Sequence, residues 1–420
     1  MTEWIIEGGV PLCGTVPVQG SKNAVLPILA ATVLSQSPSE IHGVPNLKDV
    51  HVMVEILRAL GMEVTFDVER QTIWVDPHGL SNGEVPEALM SQMRSSIFLM
   101  GPLCARLGRA VLSQPGGCSI GTRPIDLHLK AMRALGVRIA RENARLICQC
   151  GHLRAATILL DYPSVGATEN ALMAAVLADG VSTIFNAARE PEVVDLEHFL
   201  VKMGAQIEGI GTDTLTIRGV SQLHGVVYDV IADRIVVGTL AVYAAITRGS
   251  VRLTHIGPEH LLAVTDKLQE TGSTVVTDGT DLLIRAQDRP KAIERLETAP
   301  YPGFPTDMQA CMMALLAIAD GVSVIVENVF EDRFKHVPEL NRMGAHIWTD
   351  LKTAVVRGVP HLTGAQLEAD DLRGAAALIG AGLAASGTTI VRDAGHVDRG
   401  YADWVDLLGR LGARVKRRDP

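Results

Sequence analysis

Cys118 lies within Ser113-Gln114-Pro115-Gly116-Gly117-Cys118-Ser119-Ile120-Gly121-Thr122-Arg123-Pro124, where flexible neighbours can display a thiol and Arg123 can stabilise its thiolate. A thiol brought toward neutral pKa is a nucleophile or a proton donor. Cys13, Cys104, Cys148, Cys150 and Cys311 are expected to be small buried apolar side chains, Cys104 and Cys311 because they fall on apolar helices. Cys148-Gln149-Cys150 with His152 falls short of four tetrahedral ligands, so no metal is expected there. Lys22, Arg94 and Arg373 each precede an apolar helix, and Arg399 stands at a strand-to-helix turn. A helix N-terminus presents unsatisfied N–H groups and a positive dipole end, so a cation there calls for an anion. Asp307, in Gly303-Phe304-Pro305-Thr306-Asp307, is either a helix cap or a catalytic carboxylate; its position does not separate the two.

The elements that must position these groups repeat. Helix-like segments run into Gly61, Gly136, Gly204, Gly272, Gly344 and Gly412, at intervals of 75, 68, 68, 72 and 68 residues, and each glycine leads into a short apolar strand. Such a period means one supersecondary unit used six times. In the third unit an apolar helix, 169–178, precedes a strand at 182–185, an amphipathic helix at 191–203 that closes at Gly204, and strands at 205–207 and 214–218. The first helix recurs at 23–34, 95–107, 238–247, 308–319 and 375–385, nearly free of charge and so buried on most sides. The second helix, amphipathic, faces water. Six units exceed one core, which predicts two lobes of three units: 22–231, and 1–21 with 232–420. The N-terminal strand 3–7 can close the C-terminal lobe, and two chain crossings make a hinge and a cleft.

From Gly108 to Gly136 the second unit uses 28 residues where units three to six use 23 to 25, and the excess is the Cys118 segment. Scaffold repetition does not require that insertion, and long glycine-punctuated loops carry function. The chain has 47 acidic and 38 basic residues, a net charge of −9, and no strongly basic run, which argues against nucleic acid as a partner. Apolar residues make up 47% and aromatic residues 4%, favouring helices packed through Ala, Gly, Leu and Val. No apolar run approaches the roughly 18–20 residues that span a bilayer. The start Met1-Thr2-Glu3-Trp4 lacks the basic opening of a secretory signal, so a cytoplasmic protein with reduced thiols is expected.

Several segments resemble the UDP-N-acetylglucosamine 1-carboxyvinyltransferase family of enolpyruvyl transferases. They are Gly20-Ser21-Lys22-Asn23, Pro115-Gly116-Gly117-Cys118 continuing to Arg123-Pro124-Ile125-Asp126-Leu127-His128, Phe304 to Gln309, Asp371-Leu372-Arg373 and His396 to Tyr401. The resemblance covers essentially the whole chain. It implies the inside-out α/β barrel fold, with buried helices and outer strands and helices, and transfer of the enolpyruvyl group of phosphoenolpyruvate to the 3'-hydroxyl of UDP-N-acetylglucosamine with loss of phosphate. That reaction opens peptidoglycan biosynthesis, uses no cofactor or metal, and is the target of fosfomycin. By the same resemblance Lys22, Arg94, Cys118, Arg123 and Arg399 meet phosphoenolpyruvate. Cys118 is the acid or the site of a covalent adduct, and Asp307 is the base. Asn23, Arg94, Arg123, Pro124, Ile125, Asp126, Leu127, Ser164, Val165, Gly166, Asp307 and Val329 meet the nucleotide sugar; Asp371 and Arg373 complete the pattern. Tyr162 stands where some members have Lys. Val236 stands where many have Glu, with altered closure contacts expected. The shikimate branch of the fold, which uses shikimate 3-phosphate, lacks the Pro-Gly-Gly-Cys loop. A catalytically silent paralogue that binds UDP-sugar is a further alternative, and no oligomeric state is implied.

Overall fold

The computed structural model describes residues 2–113 and 124–419, so the expectations for Cys118 and Arg123 fall outside the described residues. The chain falls into two compact units, residues 20–113 with 124–231 and residues 2–19 with 232–419.

In the first unit three inner helices, α1 (Lys22–Ala31), α2 (Met100–Leu107) and α3 (Val165–Ala175), carry mostly Ala, Leu, Val and Met and are buried along most of their length. The second unit repeats the arrangement with α4 (Arg234–Ile246), α5 (Gln309–Leu316) and α6 (Leu372–Ala384); every residue of α4 after Arg234 is buried. Small residues allow these helices to approach closely. A Cβ on Gly380 would come within 2.6 Å of the Tyr243 ring, whose hydroxyl donates to the Ala376 carbonyl at 2.5 Å.

Amphipathic helices lie outside, as in Lys48–Ala59, where Val50, Met53, Ile56 and Leu57 are buried while His51 and Glu55 are exposed. The six repeat glycines that follow the outer helices all have φ between 91° and 105°. That left-handed conformation costs a residue with a Cβ, and it turns each helix into its strand.

Among the described residues the sheets are five of four strands and one of three. In the first unit Val227–Asp229 returns to pair in parallel with Ser39–His42, so its last strand joins its first sheet. In the second unit Glu3–Glu7 lies antiparallel between Thr388–Arg392 and Arg414–Arg418, with Glu3 opposite both Arg392 and Arg418. The chain's first strand thus fills the place that a final strand occupies in the other repeats, and Cys13–Pro17 then pairs in parallel with Ser250–Thr254. Cys13 is therefore exposed on a strand at the edge of its sheet, not buried as expected.

Helices α3, α4 and α6 begin three or four residues earlier than their apolar patterns suggest. Asp233 caps α4 by accepting from the Ile235 and Val236 N–H groups, Asp371 caps α6 through Arg373 and Gly374, and Ser164 caps α3. Helix α2 is preceded by a 3-10 segment, Arg94–Leu99, because Pro102 has no N–H to bond the preceding turn. Val236 is fully buried in the core of its unit.

Candidate active site

Asp307 occupies a 3-10 turn, Thr306–Met308, that opens into α5; Pro305 holds the cap position, with no side-chain cap. The Asp307 carboxylate instead accepts Arg333 Nη2 at 2.6 Å on one oxygen and Arg373 Nη2 at 2.9 Å on the other. The two arginine side chains are 5% and 7% exposed against 27% for Asp307, so the carboxylate still reaches solvent. Burial opposes the charge of Arg373, but Asp307, Tyr401 and Asp233 more than compensate and its pKa is raised. His336, buried beside Arg333 and Asp371, is pushed down to about 4 chiefly by burial, so it adds no positive charge near neutrality. Arg333 Nε and Nη1 are buried without a hydrogen-bond partner.

Arg373 also donates to the Tyr401 hydroxyl at 3.1 Å, and Tyr401 lies 3.0 Å from Thr239 Oγ1 on α4. Arg399 ends the 3-10 segment Ala394–Arg399 two residues before Tyr401. Gln19 clamps the same segment, donating to the Gly400 carbonyl and accepting from the Ala402 N–H. These contacts order the chain around Asp307, Arg373 and Arg399. Arg373 lies inside the first turn of α6 and not ahead of it, because Asp371 is the cap.

Glu327 fixes Val329 to the same neighbourhood. Its buried carboxylate accepts from Thr298 and Thr306 hydroxyls at 2.8 and 2.9 Å and from the Val329 and Phe330 N–H groups at 2.9 and 3.1 Å. The segment ending in Asp307 and the segment carrying Val329 are thereby joined through one side chain.

In the first unit Lys22 opens α1 and meets Asp49 at 3.3 Å, with Asn23 next in the same turn. The preceding Ser21 makes no side-chain cap, and its buried hydroxyl has no hydrogen-bond partner, leaving the N–H groups of that turn without a side-chain acceptor from the cap. Asn170 on α3 ties three further pieces together. It donates to the Ile97 carbonyl, accepts from the Gly101 N–H at 2.8 Å and meets His128 Nδ1 at 2.9 Å. The 3-10 segment opened by Arg94, helix α2 and the helix Asp126–Ala134 are thereby held against the middle of α3. A Cβ on Gly166 would lie 2.9 Å from the His128 ring and 3.1 Å from the Phe98 ring, so glycine lets the start of α3 pack closely on these two side chains. Tyr162 is 40% exposed just before that segment.

A family model described as EPSP synthase (3-phosphoshikimate 1-carboxyvinyltransferase) matches residues 6–408. UDP-N-acetylglucosamine 1-carboxyvinyltransferase 2 of Caldanaerobacter subterraneus is 49% identical over 99% of this chain and 100% of its own. UDP-N-acetylglucosamine 1-carboxyvinyltransferase 1 of Symbiobacterium thermophilum is 51% identical over 99% of this chain and 95% of its own. The chain belongs to the UDP-N-acetylglucosamine 1-carboxyvinyltransferase family. Its fold matches the enolpyruvyl transferase NikO from Streptomyces tendae with a TM-score of 0.89 at 30% identity, covering 100% of this chain and 99% of that one. EPSP synthase from Acinetobacter baumannii, at 19% identity and a TM-score of 0.76 over all of both chains, shares the fold. The inside-out α/β barrel expected for the family is therefore the architecture here.

Reasoning from the sequence did not reach Arg333, Glu327, Tyr401, Asn170 or Asp49 as organisers. One signal was available for Glu327: a carboxylate directly ends the apolar strand Val322–Val326. Nothing in the local pattern marks Arg333.

Proposed function

We propose that this chain carries out the reaction of its family. It transfers the enolpyruvyl group of phosphoenolpyruvate to the 3'-hydroxyl of UDP-N-acetylglucosamine and releases phosphate, the first committed step of peptidoglycan synthesis. The observation that carries the reading is identity of 48–51% over nearly the whole chain to relatives that bear this activity in their names.

The residues support an addition–elimination in which each group has a task. Lys22, at the N-terminus of α1 with its uncapped N–H groups, suits a phosphate, and Asp49 keeps its ammonium in place. Arg94, Arg123 and Arg399 add charge-assisted contacts to phosphate and carboxylate, for which guanidinium forks are well shaped. Cys118 protonates C3 of the enol ether, or adds through sulfur at C2, and the oxocarbenium-like C2 is attacked by the sugar oxygen. Asp307 takes the proton of the 3'-hydroxyl. The paired arginines favour its ionised form, which a base requires before attack. A proton then leaves C3 as the C2–O bond to phosphate breaks, restoring the double bond. Asn23, Arg94, Arg123, Pro124 to Leu127, Ser164 to Gly166 and Val329 hold the nucleotide sugar, with Glu327 and Asn170 fixing the backbone on which several of them stand. Asp371 acts through the α6 cap that orients Arg373.

No helix among the described residues is long and apolar enough to cross a membrane. We place the enzyme in the cytoplasm, where both soluble phosphorylated substrates are made. The test is phosphate release from phosphoenolpyruvate by the pure protein: release that requires UDP-N-acetylglucosamine is expected. Release driven by shikimate 3-phosphate instead would move the chain to the shikimate branch, and no release with either acceptor would make it a silent UDP-sugar binder.

A further inference from the structure

The third and fifth repeats leave their inner helices through nearly the same sequence, Leu177-Ala178-Asp179-Gly180-Val181-Ser182 in one and Ile318-Ala319-Asp320-Gly321-Val322-Ser323 in the other. Their backbone hydrogen bonds also correspond. The Asp179 and Asp320 N–H groups donate to the carbonyls of Leu153 and Pro290, the Ala155 and Ala292 N–H groups donate to the carbonyls of Asp179 and Asp320, and the Val220 and Val359 N–H groups donate to those of Val176 and Ala317. His152, just before Leu153, therefore holds the place that Arg289 holds just before Pro290.

Arg289 closes the helix end of its own repeat. Its Nε donates to the Ile318 carbonyl at 2.9 Å, its Nη2 to the Ala319 carbonyl at 2.7 Å, and its Nη1 reaches the Asp320 carboxylate at 3.4 Å. His152 is too short to repeat this. It is exposed and makes no hydrogen bond or ion pair among the described residues, and the equivalent carbonyls of Leu177 and Ala178 accept no hydrogen bond there. Where the guanidinium would lie, the first unit has a cavity of about 430 Å³ lined by His152, Leu177, Ala178 and Asp179. The C-terminal end of α2 contributes Arg106 to the same wall, and the Arg106 Nε is buried without a hydrogen-bond partner. Lys22 and Ser164 stand at the opposite, N-terminal ends of α1 and α3, so this cavity lies a helix length from the residues assigned to the reaction.

A cavity of this size is far larger than one water needs and falls in the range of about 300–1,000 Å³ that small-molecule sites occupy. Its chemistry has two poles. Two carbonyls at a helix C-terminus and a carboxylate call for a cation with several donors in a fixed fork, which is what Arg289 supplies in the second unit. The unpartnered Arg106 calls for a carboxylate. We propose that this cavity binds a free α-amino acid with a guanidinium side chain, of which arginine is the simplest. Its guanidinium takes the place that Arg289 fills in the fifth repeat, against Leu177, Ala178 and Asp179, and its carboxylate pairs with Arg106.

The experiment titrates the full-length protein with arginine in a calorimeter, beside citrulline, which replaces the guanidinium by a neutral urea, and agmatine, which lacks the carboxylate. Saturable binding of one arginine per chain is expected, with citrulline and agmatine each at least about tenfold weaker. Asp179→Asn should weaken arginine by a similar factor. His152→Arg should rebuild the arrangement of the fifth repeat, abolish binding and raise Tm in the absence of ligand. Circular dichroism shows that both variants are folded. No saturable binding of arginine to wild type up to about 10 mM overturns the proposal, as does undiminished binding by folded His152→Arg or Asp179→Asn. Citrulline binding as tightly as arginine refutes the guanidinium site, and agmatine doing so refutes the pairing with Arg106 and, with it, a free amino acid as the ligand.

Discussion

Asp307→Asn separates the structural and chemical duties of one carboxylate. In wild type its two oxygens answer two buried guanidinium groups, at 2.6 and 2.9 Å. The amide keeps the shape but loses the charge and one acceptor, so at least one arginine is left facing an N–H donor. Removing one partner of a buried ion pair costs about 3–5 kcal/mol. Asp307 is 27% exposed, so water can reach part of the site and the lower figure, about 3 kcal/mol, applies. For a cooperative unit of roughly 200 residues this lowers Tm by about 6–12 °C. Loss of the base should in addition reduce kcat by about 10²–10⁴-fold.

The double variant Asp307→Asn with Arg333→Met tells the two effects apart. Removing Arg333 takes away one uncompensated charge and should return part of the lost Tm, while kcat stays as low as in the single variant. Calorimetry and steady-state phosphate release, run on the same preparations, provide both readouts. A single variant whose kcat stays within about tenfold of wild type refutes the base role. An unchanged Tm refutes the claim that the carboxylate balances the two arginines, and a double variant that regains activity refutes the separation of the roles.

Glu327→Ala strips the acceptor from two hydroxyls and two backbone N–H groups, so KM for UDP-N-acetylglucosamine should rise and Tm should fall; unchanged KM would show that Val329 is placed without it. Asn170→Ala leaves the Gly101 N–H without its side-chain acceptor and removes one hydrogen-bond partner of His128, costing about 1–3 kcal/mol in denaturant unfolding. Fosfomycin should alkylate Cys118, and mass spectrometry that places the adduct on Cys150 or Cys13 instead would contradict the assignment of the active thiol. Glu197 is pushed up to about 7 by burial, so the folded state binds its proton more tightly than the unfolded state does. Both states are protonated well below the unfolded value and nothing is lost there. Stability then falls as pH rises from the unfolded value through about 7, by about 3 kcal/mol in all. Glu197→Gln should therefore raise Tm at about pH 8 and leave it unchanged at about pH 4, and equal gains at both would refute a titration.

The parts of this molecule that were legible in its sequence are those that repeat or that local chemistry dictates. Gly61 and its five counterparts mark the ends of outer helices because only a residue without Cβ takes that conformation cheaply, and each carries the positive φ. Strands such as Glu3–Glu7 and Thr214–Arg218 alternate clearly enough to be placed to the residue. The starts of α3, α4 and α6 were misjudged because apolar composition begins only after the first turn; the true boundary is written in the caps Ser164, Asp233 and Asp371. That error has a chemical consequence, because the first turn is where Arg373 and Ser164 to Gly166 stand. The network around Asp307 was illegible for a different reason. Arg333 lies 26 residues beyond Asp307, past the next strand of the same repeat, and Arg373 lies 66 beyond in the following repeat, so their meeting is a product of packing and not of spacing. A local pattern can announce a carboxylate before a helix. Only the fold decides that it balances two buried arginines and does not cap the helix.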